Sequence, residues 1–238
     1  MGIAVLLLFF PVEPLGKGFF VLHGALASAF LAGALLARPG GYPVLPGAGS
    51  VTLLCLYTGL AQAGYTRLAR PLLALGAVAG VWSLSVVALA APQPHGDAWT
   101  IAGALLGGLF FAAVLLTMNL GHWYLVSRSL PFRLLARGAL LFGALACART
   151  LVLAAAIAAD ANPAGLAPLL SLERDALFFL FRVLWGIAGP LALSWFIWKT
   201  ADMRSNQAAT GLLYVALVFV LIGELLSSYL TVATGFPA

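Results

Sequence analysis

Charge is what this chain has least of. Asp, Glu, Lys and Arg together make up 8% of its 238 residues, against 63% hydrophobic residues. A soluble domain carries roughly 25% charged residues to cover its surface. So small a complement excludes a water-soluble fold, and no segment is polar enough to form a separate soluble domain. Cysteine is almost as scarce. Cys55 and Cys147 both fall inside apolar runs, show no metal-ligand spacing and give no support for a disulfide, so they read as buried, inert thiols. There are only three histidines. The sequence contains no phosphate-binding Walker loop, no His-Glu-x-x-His, no Gly-x-Ser-x-Gly and no haem-attachment Cys-x-x-Cys-His. Nor do its apolar runs carry the regularly spaced carboxylates of a proton pump, and nothing indicates nucleic acid as a partner.

What is there is hydrocarbon in long runs. Residues 18–37, 50–65, 71–91, 99–126, 135–159, 176–198 and 208–231 each form a run consistent with a membrane-spanning helix, separated by Pro/Gly-rich or charged breaks. Residues 1–12 are apolar but too short to span, and Glu13-Pro14-Leu15-Gly16-Lys17 interrupts them. Without a basic leading region or a cleavage signature they do not read as a signal peptide. The expectation is an all-α integral membrane protein: one polytopic domain over residues 1–238, a bundle of seven transmembrane helices plus a short N-terminal hydrophobic half-helix, interfacial or re-entrant.

The few charges fix an orientation. Threading the seven runs puts Lys17, Arg67, Arg70, Arg128, Arg133, Arg137, Lys199 and Arg204 on one side. The other side holds Arg38 and Arg174 with Asp97, Asp160, Glu173 and Asp175. Lys and Arg collect in cytoplasmic loops. The basic side is therefore expected in the cytoplasm and the C-terminus outside, in a multi-pass plasma (inner) membrane protein surrounded by lipid.

Polar atoms are costly in a bilayer and mark function by default, so the ionisable residues inside the runs carry the functional reading. They are His23, His122, Arg149, Arg182 and Glu224. Counting along each helix puts His23 about 8 Å and His122 about 9 Å in from the basic side. Two imidazoles at one depth suit a pair of axial ligands to a b-type haem iron, or a quinone site. Asn119, His122 and Trp123 stand three and four residues apart and so share a helix face. Trp123 and Tyr124 would supply aromatic packing and hydrogen bonds, and Asn119 would hold a ring or quinone carbonyl. The alternative is that each histidine bonds a backbone carbonyl by itself.

Arg182 and Glu224 lie about 10 Å, and Arg149 about 16 Å, from the opposite side. An unpaired charge at such depth costs several kcal/mol, so Glu224 is expected to pair with Arg182, helped by Arg149. Two guanidiniums against one carboxylate leave a positive charge that an anionic solute or a quinone oxygen could use; a plain clasp between helices is the competing reading. Pro190, with Gly186 and Gly189 before it, predicts a kink in the sixth run. Gly103 and Gly107 form a small-xxx-small pair for close helix packing, and Ser205 or Asn206 suits an N-cap. Trp99, Trp123, Trp185, Trp195 and Trp198 are expected mostly near span ends.

In the last run, Thr210-Gly211-Leu212-Leu213-Tyr214 followed by Ile222-Gly223-Glu224-Leu225-Leu226 resembles the C-terminal helix of quinol-interacting anchor subunits of the DMSO-reductase/polysulfide-reductase group. That helix continues to an Arg where this chain has Ser227-Ser228-Tyr229. The resemblance implies a haem-free helical bundle with a quinone site. Three functions are thus in contention. The leading one is an electron-transfer or quinone-interacting component anchoring other redox subunits of a larger complex. A permease for a small anionic solute and a non-catalytic membrane scaffold are the alternatives.

Overall fold

A computed structural model describes residues 1–37, 44–90, 97–126, 130–131, 133–159 and 174–234. Arg38, Arg128, Asp160 and Glu173, which entered the orientation argument, lie outside them. The described residues are helical throughout, without a strand: α1 (Gly2–Leu7), α2 (Val12–Ala37), α3 (Leu45–Gln62), α4 (Thr66–Ala90), α5 (Asp97–Val126), α6 (Arg133–Ala159), α7 (Arg174–Val183), a π-helical turn (Leu184–Ala188), α8 (Gly189–Asp202) and α9 (Asn206–Thr234). Six helices are long and apolar enough to cross a membrane: Val12–Ala37, Thr66–Ala88, Ala98–Val126, Arg133–Ala158, Asp175–Asp202 and Asn206–Thr234. The protein is a multi-pass, all-helical membrane protein. α3, expected as the second crossing, is a helix of 18 residues and is not among these six.

The chain forms two compact units, Met1–Ala91 and Pro92–Ala238. In the first, α3 packs against both α2 and α4. Small residues set these contacts, as expected where lipid removes any hydrophobic drive for helices to associate. A methyl on Gly24 would run into Tyr57 and Thr58, and one on Gly76 into Leu54. Ser50 Oγ donates to the Gly76 carbonyl at 2.7 Å. α3 lies antiparallel to α2: Gly47 near its start packs on Leu35, and Gln62 at its end accepts a hydrogen bond from Lys17 Nζ at 3.3 Å. The short α1 is buried inside this unit through Ile3, Ala4, Leu6 and Leu7, with Met1 lying over Gly80 of α4. α2 is broken at Gly16, whose φ of 70° is a backbone geometry that glycine adopts without a Cβ clash.

The second unit is a four-rod bundle in which α5 packs on α6, α6 on α8, α8 on α9 and α9 on α5. Each contact again rests on a small residue. Gly138 faces Thr117, Gly143 faces Ser194, Gly121 faces Thr210, and Gly186 meets Gly223 backbone to backbone. Leu153, Ala156, Ile187 and Leu230 form a buried cluster flanked by Trp99, Phe178, Phe179 and Leu191. Phe110 and Phe142 stack with ring centroids 5.3 Å apart.

Two expectations are corrected here. Cys55 and Cys147 are free thiols but exposed, not buried; in a bundle whose outer faces are apolar, an apolar run has no inside to identify by hydropathy alone. Trp185 is not at a span end but in the π turn near mid-helix, edge-on to Phe219 at 4.7 Å.

Candidate functional site

The second unit gathers its buried charges into one site. α6 supplies Arg149, α7 supplies Arg182 and α9 supplies Glu224 and Ser227. Arg149 grips Glu224 with two donors, Nε to Oε1 at 3.3 Å and Nη2 to Oε2 at 3.4 Å. Its Nη2 also donates to Ser227 Oγ at 2.7 Å. Arg182 Nη2 lies 3.2 Å from Glu224 Oε1. One carboxylate thus bridges two guanidiniums, and the cluster carries one positive charge over. Arg182 is wholly buried and Arg149 is 2% exposed. With the helix ends now fixed, Arg182 stands about 12 Å in from the start of α7, and Arg149 and Glu224 about 15 Å in from the ends of α6 and α9. In helices that cross a hydrocarbon core of about 30 Å, such distances from the ends would put all three near its middle.

The helix carrying Arg182 is irregular for a reason visible in its sequence. Pro190 has no N–H for the carbonyl of Gly186. That carbonyl is taken instead by the Arg182 side chain, whose Nη1 donates to Gly186 O at 3.2 Å. Between them the backbone widens into the π turn Leu184–Ala188. Such turns recur at functional sites and, like the proline, kink a helix. The rest of the guanidinium is under-satisfied. Arg182 Nε is buried without a hydrogen-bond acceptor among the described residues, while Nη2 is held only by its ion pair with Glu224.

Glycines form the rest of the wall. A methyl on Gly107 would collide with the Glu224 carboxylate, one on Gly103 would touch Arg149 Nη1 at 3.5 Å, and one on Gly186 would collide with Arg182. Gly103 and Gly107, read from the sequence as packing residues alone, therefore border the charges. Ser227 and Gly223, which the sequence offered only as letters of the last run's pattern, also belong to the site, both within one turn of Glu224 on the same helix.

The histidine group is distributed differently. His23 belongs to the first unit and His122 to the second. His23 is fully buried; its Nδ1 is 2.7 Å from the Phe19 carbonyl and its ring packs on Phe19 at 4.1 Å. His122 is exposed on α5, while Asn119 and Trp123 are half-buried. Tyr124 is buried with its hydroxyl donating to the Pro131 carbonyl. No group of three or more His, Cys, Asp or Glu side chains with metal-binding geometry occurs among the described residues. No protein family, curated protein or solved structure matches this chain.

Proposed function

We propose that this chain is a membrane permease for a small anionic solute, bound at the Arg149–Arg182–Glu224 cluster. The observation that carries the reading is Arg182: wholly buried, in a helix broken by a π turn, with a surplus positive charge beside Glu224 and its Nε lacking an acceptor among the described residues. A buried surplus positive charge costs several kcal/mol unless a counter-ion joins it, so an entering anion is favoured by the charge balance and by the open donors. Broken helices facing charged solutes at the bilayer midplane are also the common geometry of transporters. Gly103, Gly107 and Gly186 bring backbone against the charges, which suits a solute of few atoms. Glu224 bridges both guanidiniums. A bound anion would take over the donors of Arg182 and leave Glu224 with Arg149 and Ser227.

The same reading takes α3 as a seventh crossing beside the buried half-helix α1. It is supported by the antiparallel course of α3 along α2, from Gly47 at Leu35 to Gln62 at Lys17. The basic ends of the helices then face the cytoplasm of a plasma-membrane protein, and the C-terminus faces outward. The direct test is flux of chloride, nitrate, formate and phosphate from proteoliposomes. Flux of at least one anion is expected, falling about tenfold or more in Arg182→Met, the loss of a charge-assisted contact of about 1.5–3 kcal/mol. Equal flux in the variant overturns the assignment.

A second reading, a quinone-interacting redox anchor, draws on the exposed His122 with Trp123 and Asn119 beside it on an apolar helix, where a quinone arriving from the lipid would meet it. It requires quinone to co-purify and to be lost in His122→Ala, with anion flux untouched.

A further inference from the structure

A second site lies at the end of the first unit where α1 meets the starts of α2 and α4, and it stands independently of the permease reading. There Arg67 pairs with Glu13, both side chains being exposed. Arg70 Nη2 donates to the carbonyls of Leu8 and Phe10, each at 3.0 Å, closing the C-terminal end of α1. Beside these lies a shallow depression of about 400 Å³ lined by Pro11, Val12, Glu13, Pro14, Arg67 and Arg70. Its charges do not cancel, since two guanidiniums face one carboxylate.

Arg70, which lines the depression, has its Nε buried without a hydrogen-bond partner among the described residues. Leaving such a donor unmet costs about 1–3 kcal/mol, which a ligand with acceptor oxygens relieves. Phe9 and Leu68, 79% and 73% exposed, flank the site with bare hydrocarbon.

We propose that this depression binds a phosphate group, whose oxygens accept from Arg70 Nε and Arg67. Guanidiniums match phosphate oxygens in shape as well as charge. A phospholipid headgroup and free phosphate share this chemistry. Phe9 and Leu68 assign the site to the lipid, whose acyl chains would lie over them. Arg67 then exchanges Glu13 for the phosphate, and Arg70 keeps its hold on α1 while its Nε gains an acceptor.

The test is native mass spectrometry of the full chain in detergent, titrated with phosphatidylglycerol, with phosphatidylcholine, or with inorganic phosphate alone. One phosphatidylglycerol per chain is expected to be retained over phosphatidylcholine, with affinity about tenfold lower in Arg67→Gln. Arg67 is exposed, so the variant is expected to fold, and an unchanged melting temperature checks this. Arg70→Lys, which keeps the charge and a donor for α1 but removes Nε, is expected to weaken binding as well. Saturable binding of inorganic phosphate with no preference for lipid would support the phosphate site and assign it to free phosphate. Binding of neither, or equal lipid retention in both variants, overturns the proposal.

Discussion

At the scale of single residues, the account turns on Glu224. Among the described residues it is the one carboxylate within ion-pair distance of both Arg149 and Arg182, and it is 19% exposed where they are nearly sealed. Glu224→Gln removes the counter-charge and leaves two guanidiniums buried. A loss of about 3–5 kcal/mol is expected from breaking such a pair on one side, measured by unfolding in a denaturing-detergent titration, with Glu224→Asp recovering part of it. The grouping of these three residues was legible because a deep charge needs a partner and helical rise gives its depth. Ser227, Gly103 and Gly107 were not legible as neighbours. Serine and glycine are common at any helix contact, and only the rotation of α5 and α9 in the bundle turns them toward the charges. Matching depth does not give the rotation of either histidine: the His23 ring is buried against Phe19, and His122 is exposed on α5.

At the scale of elements, the broken helix from Arg174 to Asp202 is the part that gives the site its character. Pro190 announced a disturbance, but the π turn did not show in the sequence, because one extra residue in a uniformly apolar run leaves no break in its periodicity. Pro190→Ala restores an N–H that can compete with Arg182 for the Gly186 carbonyl. Since that carbonyl is already satisfied, the gain in stability is expected to be modest, about 1 kcal/mol. Anion flux is expected to fall as the helix regularises and Arg182 is released. A large gain in stability with flux unchanged would show the break to be incidental. α3 is the converse case: its position was legible from its flanking Gly/Pro and Arg residues, while its modest length and its polar Ser50, Thr52, Tyr57 and Thr58 set it apart from the six long apolar helices.

At the scale of the whole molecule, the helical, membrane-embedded character followed directly from composition. The division into two units did not, because the six long runs are of similar mean hydropathy, 1.9 to 2.2, and partner choice is decided by where small residues fall. Topology is testable with single cysteines in a Cys55→Ser/Cys147→Ser background, needed because both native thiols are exposed. If α3 crosses, Val44→Cys is labelled by an impermeant maleimide from outside intact cells and Gln62→Cys only after permeabilisation. Labelling of both from one side would make α3 a non-crossing helix.

The buried charges, on the proposed function, bind a solute and do more than hold helices together. A clasp and a binding site part company when every charge is removed at once. Replacing a buried ionic group by apolar residues of similar size is often neutral or stabilising, so Arg149→Met/Arg182→Met/Glu224→Leu should insert and fold. The deciding measurement is anion flux from proteoliposomes containing this triple variant, beside the wild-type chain. The account predicts a folded protein whose flux has dropped to that of protein-free vesicles. A folded triple variant that still carries the anion would contradict it.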